Sequence, residues 1–382
     1  MKLLFALDNY DHGSGGAEMC VRSLAQHLAG RGHRVEVIQQ GEGSEPHADG
    51  AVVVHDRRLP GSRLFRERHR DTLRWNTAWT PLLDEFVAEA RPDLILTQNR
   101  LLSSSVAVAR SRGIPVGVWV HAYGMVCPTQ FRNRDPLREC TGHCSGCFPW
   151  YRRLQGDPIR RVLENYRVAL QNADLVFSNS RYTRDVLQRL LGVTTKVLYP
   201  TLDPDRYVSK GESRDRVLFV KPQYVKGFPI FLEIARRLPQ SRFLVAGKPG
   251  SRARRAIARL ENVECTGWLR DMRPAYARSR VLLGPSIWPE PFGRVFVEAA
   301  ASGIPSLGSA RGGIPEAIGP GGVLVEEIFD VDRWVDALHR LEEPDTWETL
   351  SARAREHARS FAPERTVQVL IEAVQSATGL EL

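Results

Sequence analysis

Lysine is scarce in this chain: it supplies six of the 53 basic residues, at positions 2, 196, 210, 221, 226 and 248. Arginine carries the ordinary solvation, so each lysine deserves individual reading. Long apolar runs are also missing, and no stretch approaches the length that crosses a bilayer. The opening run Leu3-Leu4-Phe5-Ala6-Leu7 is too short for a signal peptide and reads as a first strand, which leaves a cytoplasmic location as the expectation. There are no internal repeats or low-complexity tracts, which excludes solenoids and disordered linkers. The net charge of +9 comes without any nucleic-acid module, its arginines being scattered through helical patterns. Nucleic acid is therefore not expected as a partner. What is present is ordinary for a soluble globular protein: 382 residues, 42% apolar and 25% charged, enough for two domains with substantial cores.

The pattern along the chain is that of an α/β protein. Apolar runs at 2–7, 34–39, 51–54, 93–97, 115–120, 174–178 and 196–199 read as strands with helical patterns between most of them. A second series follows at 216–220, 242–246, 263–266, 280–284, 304–308 and 322–325. Each series suits one doubly wound, Rossmann-like parallel sheet, whose ligands lie beyond the carboxyl ends of the strands. The proline-rich, non-periodic junction Tyr199-Pro200-Thr201-Leu202-Asp203-Pro204 divides residues 1–199 from 200–362.

The richest stretch runs from Pro285 to Glu298. A strand, Val281-Leu282-Leu283, leads into a Pro/Gly-rich loop and then into a helix from Val295 to Ser302. Gly293 lets the backbone approach a ligand, and the N–H groups after it form an anion site. Glu290 at the loop tip and Glu298 one turn into the helix are poor phosphate ligands but good acceptors for sugar hydroxyls. The arrangement suits a nucleotide sugar, with its diphosphate on the amides of Phe292, Gly293, Arg294 and Val295. Lys226, before Gly227 at another strand-to-helix junction, is placed to meet that diphosphate as a point charge. Glu316 is read as bracing its own loop.

Glu290-Pro-Phe-Gly-x4-Glu298, Ala301-Ser-Gly-Ile-Pro305 and Gly312-Gly-Ile-Pro-Glu316 together resemble the donor-site signature of family 4 retaining glycosyltransferases. Gly15-Gly16-Ala17-Glu18 and Leu28-x2-Arg31-Gly32-His33-x-Val35 resemble the first loop and helix of the same family, so the likeness covers nearly the whole chain. The resemblance implies the GT-B fold, two doubly wound Rossmann-like domains facing across a cleft. It also implies a last helix within 363–382 crossing back to the first domain. It assigns Glu298 to the ribose diol and Glu290 to hydroxyls of the transferred sugar. Gly15 and Gly16 would approach the donor phosphates, and His121 would contact the donor sugar or polarise the reaction centre. The family often has His-Asp where this chain has His121-Ala122. It also commonly has Gly-Arg about six residues before the lysine, where Lys221-Pro222 stands here, so Lys221 is the stand-in for the arginine. The reaction implied is transfer of a glycosyl group from a nucleotide diphosphate sugar to an acceptor hydroxyl on a glycan, glycolipid or small molecule, with retention. Lys226, Glu290 and His121 form the catalytic set. No catalytic metal is expected, since no Asp-x-Asp stands at a suitable strand end.

Four of the six cysteines, Cys127, Cys140, Cys144 and Cys147, crowd into an insertion at about 122–150, spaced C-x12-C-x3-C-x2-C. Such density in a cytoplasmic chain favours a metal over disulfides, and Cys144-x2-Cys147 is ordinary spacing for a closed structural zinc site. An iron–sulfur cluster and unliganded or paired thiols stay open. Cys20 and Cys265 read as core. The segment Arg57 to Trp79 carries seven arginines with Trp75 and Trp79. It reads as a solvated helix, with weak contact to a membrane surface or lipid-linked acceptor as its other use. Two competing functions remain: a zinc-stabilised binding module with a degenerate sugar site, and an epimerase or phosphorylase of the same fold. The sequence does not name the sugar, the nucleotide, the acceptor or the oligomeric state.

Overall fold

A computed structural model of the chain describes residues 1–10, 15–43, 45–60, 68–131, 140–142, 147, 156–209 and 214–381. The chain divides into two compact units, Met1–Thr201 with Pro363–Leu382, and Leu202–Ala362.

The first unit is built on eight strands: β1 (Lys2–Leu7), β2 (Arg34–Gln40), β3 (His47–Asp49), β4 (Val52–Arg57), β5 (Leu94–Thr97), β6 (Val116–Val120), β7 (Leu175–Ser178) and β8 (Lys196–Val197). They lie in the order β3-β4-β2-β1-β5-β6-β7-β8. All pairs are parallel except the edge hairpin of β3 with β4. The central strands are buried on both faces, which is why β1, β5, β6 and β7 read as unbroken apolar runs rather than alternating ones. One face packs against helices Arg68–Ala90, Leu102–Ser111 and Gly156–Asn172, with Trp79 fully enclosed. On the other lie Gly16–Gly30 and the C-terminal helix Pro363–Thr378, which buries Val367, Leu370, Ile371 and Val374 beside Leu3, Phe5 and Leu24.

The second unit has six strands: β9 (Arg216–Val220), β10 (Arg242–Ala246), β11 (Val263–Gly267), β12 (Ser279–Gly284), β13 (Ser306–Ser309) and β14 (Gly322–Val325). Their order is β11-β10-β9-β12-β13-β14, all parallel. This is the doubly wound Rossmann order, two strands to one side of the first and three to the other. Strand order therefore reverses between β9 and β12 here, and between β1 and β5 in the first unit. At such a switch point the loops leave in opposite directions and open a crevice beyond the strand ends.

Two sequence expectations change. Cys265 is exposed, not core, because β11 is an edge strand with little covering it. Trp79 is a core side chain, so it is not presented to a surface of any kind. No helix among the described residues is long and apolar enough to cross a membrane.

Candidate active site

Three loops converge at the switch point of the second sheet. After β9 the chain makes a 3-10 turn, Tyr224–Lys226, before the helix Phe228–Arg237. After β12 it runs through Pro285–Gly293 into the helix Arg294–Ala301. The first two loops are stitched together at one carbonyl: Val225 O accepts from the Ile287 N–H at 3.1 Å and the Trp288 N–H at 2.9 Å. The third loop, after β13, joins through the Gly313 N–H, which donates to Glu290 O at 2.7 Å. Gly312 sits at φ 61, and a side chain there would overlap the Glu290 backbone. The Gly-Gly pair thus allows the loop after β13 to close on Glu290.

This stitching brings Lys226 and Glu290 together. Lys226 Nζ lies 2.9 Å from Glu290 Oε1, and both side chains are largely buried. The same ammonium stands 5.0 Å from the centre of the Trp288 ring. Gly293 caps the helix Arg294–Ala301 at φ 101, a left-handed conformation that glycine takes without steric cost. No side-chain hydrogen bond caps the amino end of that helix. Phe292 is buried against Phe361 at 5.3 Å between ring centres, and fixes the loop from beneath.

Glu298 is held at both oxygens. Arg294 Nε donates to its Oε1 at 2.8 Å, and the Tyr276 hydroxyl donates to its Oε2 at 2.9 Å. Arg294 also donates to the Tyr207 hydroxyl at 2.9 Å. Tyr276 has no exposed surface, and burial, with Glu298 next, pushes its ionisation well above the usual tyrosine range. It is a permanent neutral donor. Sequence reasoning assigned Arg294 only its main-chain N–H, so this side-chain clamp is new. Arg294 and Glu298 are four apart on one helix face, a spacing that does signal such a pair. Tyr276, 22 residues away, gives no comparable signal.

Lys221 is exposed and holds φ 60, an uncommon backbone conformation for a side-chain-bearing residue. Its N–H donates to Ala246 O at 2.7 Å, and Gly247 in turn donates to Gly267 O at 2.7 Å. The ends of β9, β10 and β11 are thereby tied side by side. The carbonyl of Glu316 lies 3.0 Å from His357 Nε2, which ties its loop to the helix Pro344–Ala358.

A second group of residues gathers at the switch point of the first sheet. A cavity of about 510 Å³ opens there, lined by Asp8 after β1, Gly15, Gly16 and Glu18 at the start of the helix Gly16–Gly30, Asn99 and Arg100 after β5, and His121 after β6. His121 is buried and packs on Trp119 with ring centres 4.3 Å apart. Its carbonyl accepts from Asn179 Nδ2 at 3.0 Å. Burial, and then the charge of Glu18, raise the Asp8 carboxyl to about 6, with the Arg100 guanidinium opposing. Asp8 and Arg100 escaped sequence reasoning because each stands alone after its strand, outside any motif.

Of the cysteine cluster, Cys127 is buried, while Cys140 and Cys147 are half-buried. Cys144 lies outside the described residues, as do Gly13 and Ser14 of the glycine-rich turn. The Phe131 N–H donates to Cys127 Sγ at 3.2 Å. Among the described residues no group of three or more His, Cys, Asp or Glu side chains could hold a metal ion.

The model of Glycosyltransferase Family 4 matches residues 14–206, and that of Glycosyl transferases group 1 matches 214–343. The chain belongs to glycosyltransferase family 4. Among relatives of this transferase is a D-inositol 3-phosphate glycosyltransferase from Saccharomonospora viridis, 26% identical over 408 residues that span 95% of this chain and 90% of the relative. Another is an uncharacterized 42.6 kDa protein in the cps region of Klebsiella pneumoniae, 24% identical over 350 residues, 85% of this chain and 89% of that one. Among solved structures, a sucrose-phosphate synthase from Thermosynechococcus elongatus superposes with a TM-score of 0.74 at 19% identity, covering 98% of this chain and 99% of that one. Anabaena HepE in complex with UDP does so with 0.71 at 21%, covering 98% and 100%. These likenesses show the GT-B fold that the sequence resemblance implied.

Proposed function

We propose that this transferase takes its glycosyl group from a nucleotide diphosphate sugar bound at the second switch point, and passes it with retention to an acceptor hydroxyl. The observation that carries this reading is the Lys226–Glu290 contact of 2.9 Å beside the uncapped helix that follows Gly293. A cation and the positive end of a helix there suit a diphosphate, and a carboxylate suits sugar hydroxyls. Glu298, held by Tyr276 and Arg294, is assigned to the ribose diol. UDP is the nucleotide we favour, on the example of the HepE complex.

In this mechanism Lys226 and the amides of Phe292, Gly293, Arg294 and Val295 stabilise the charge that develops on the leaving diphosphate. Glu290 orients the transferred sugar, and its contact with Lys226 fixes both groups before the donor arrives. The acceptor attacks from the face that the leaving group vacates, and the departing phosphate takes its proton. Lys221 is kept as a further phosphate contact, and Gly15, Gly16 and His121 as residues of the reaction end of the first unit. For Cys127, Cys140, Cys144 and Cys147 we retain the structural zinc of the sequence reading. The N–H donated to Cys127 Sγ is what a thiolate ligand requires, and metal analysis of the purified chain checks the assignment.

The experiment is a thermal-shift titration with UDP, GDP, TDP and ADP, with Glu298→Ala as control. The expected result is a shift for UDP that the variant loses. The absence of any shift would sink the reading in favour of a binding module. Retention is checked separately, from the anomeric configuration of the product by NMR.

A further inference from the structure

Glu290 is held from two sides, and both holds lead back to one histidine. On the first side the Gly313 N–H donates to the Glu290 carbonyl at 2.7 Å, and the Gly313 carbonyl accepts from the Ala317 N–H at 3.1 Å in the short helix Ile314–Ile318. Near the carboxyl end of that helix, the Glu316 carbonyl accepts from His357 Nε2 at 3.0 Å. A carbonyl in the last turn of a helix has no partner within it, and a histidine N–H is one group that supplies the bond. On the second side Phe292, two residues after Glu290, packs on Phe361 with ring centres 5.3 Å apart. Phe361 in turn meets the His357 ring edge-on at 5.0 Å.

His357 is well fixed for such a task. It belongs to the helix Pro344–Ala358 and is half-buried. Gly319 passes so close that a methyl group there would overlap the imidazole. Burial holds the ring's ionisation below the usual histidine range, so it is neutral at pH 7. Because its partner is a carbonyl, Nε2 carries the proton. Phe361 is almost fully buried, and its own carbonyl accepts the Leu202 N–H at 2.9 Å. In a close-packed interior neither ring shifts without disturbing its neighbours.

Resting on the donor reading above, we propose that His357 is a positioning residue that sets, through the Glu316 carbonyl and the Phe361 ring, where Glu290 presents its carboxylate to the transferred sugar. The diphosphate and the ribose rest mainly on groups from other elements. Lys226 comes from the turn after β9, and Glu298 is clamped by Tyr276 and Arg294. A displaced Glu290 therefore weakens a nucleotide sugar more than the bare nucleotide, whereas general loosening of the unit weakens both alike.

Isothermal titration of UDP, UDP-glucose, UDP-galactose and UDP-N-acetylglucosamine into the full chain tests the proposal. Glu290→Gln marks the nucleotide sugar whose affinity depends on that carboxylate. For that ligand His357→Ala should raise Kd about fivefold or more, while the Kd for UDP stays within about twofold of the wild type. His357→Gln, which keeps an N–H donor for the Glu316 carbonyl, should recover much of the loss. In the Glu290→Gln background, His357→Ala should add nothing further. Should His357→Ala not fold, Phe361→Leu, which keeps apolar bulk and removes the ring contact, should show the same selective loss. Equal weakening of UDP and the UDP-sugar would overturn the proposal and leave the donor reading standing. So would an unchanged UDP-sugar, or a loss that persists in the Glu290→Gln background. If the wild type binds no UDP, or no UDP-sugar responds to Glu290→Gln, the donor reading itself falls and takes the proposal with it.

Discussion

Tyr276 and Asp8 show how single side chains set the behaviour of each site. The Tyr276 hydroxyl is buried and donates to Glu298 Oε2, so Tyr276→Phe leaves that carboxylate held by Arg294. A hydrogen bond to a charged group contributes about 1.5–3 kcal/mol. Calorimetry should therefore show UDP affinity falling about tenfold or more, with the preference for UDP over its 2′-deoxy analogue reduced. An unchanged preference would detach Glu298 from the ribose. Asp8 makes a prediction for stability of the opposite kind. A carboxyl raised from 3.8 to about 6 binds its proton more tightly in the folded chain than in the unfolded one. Stability is then greatest at low pH and declines as pH climbs from about 4 through 6. Asp8→Asn should consequently melt above the wild type at pH 8 and alongside it at pH 4, which a pH series of scanning fluorimetry checks. A residue that costs stability in the resting protein is the kind kept for binding.

At the scale of elements, the loops carry more than the strands that support them. The Gly312 backbone lies so close to Glu290 that an added methyl group would force the two loops apart. Gly312→Ala should reduce turnover at least tenfold by shifting Glu290, and the effect should exceed that of the same change at Gly30, where a side chain meets nothing. The strands themselves were legible because buried parallel strands are short apolar runs between helical patterns, as in Leu218 at the centre of β9. The edge hairpin His47–Asp49 was not, since three exposed or half-exposed polar and small residues carry no apolar signal. Its role appears only in the fold, where Asp49 accepts from Arg22, Gln26 and the Tyr10 hydroxyl. The same limit explains the sites. Glu290, Glu298 and Lys226 stand in local motifs with glycine and proline, whereas Tyr276, Asp8 and Arg100 reach their places through strand order alone.

For the molecule as a whole, the first unit depends on a segment that arrives last. The helix Pro363–Thr378 supplies Leu370 and Val374, almost wholly buried, to a core built mainly from residues before Leu198. Leu370→Ala should cost about 2–5 kcal/mol in the unfolding of that unit while UDP affinity holds, as denaturant titration with and without UDP would show. The central claim concerns the other unit, where a diphosphate and a ribose are assigned to different residues. Isothermal titration of UDP and of uridine into the wild type, Lys226→Ala and Glu298→Ala tests it most directly. The account predicts that Lys226→Ala erases most of the advantage of UDP over uridine, while Glu298→Ala weakens both ligands alike. Variants that bind UDP as the wild type does would contradict it.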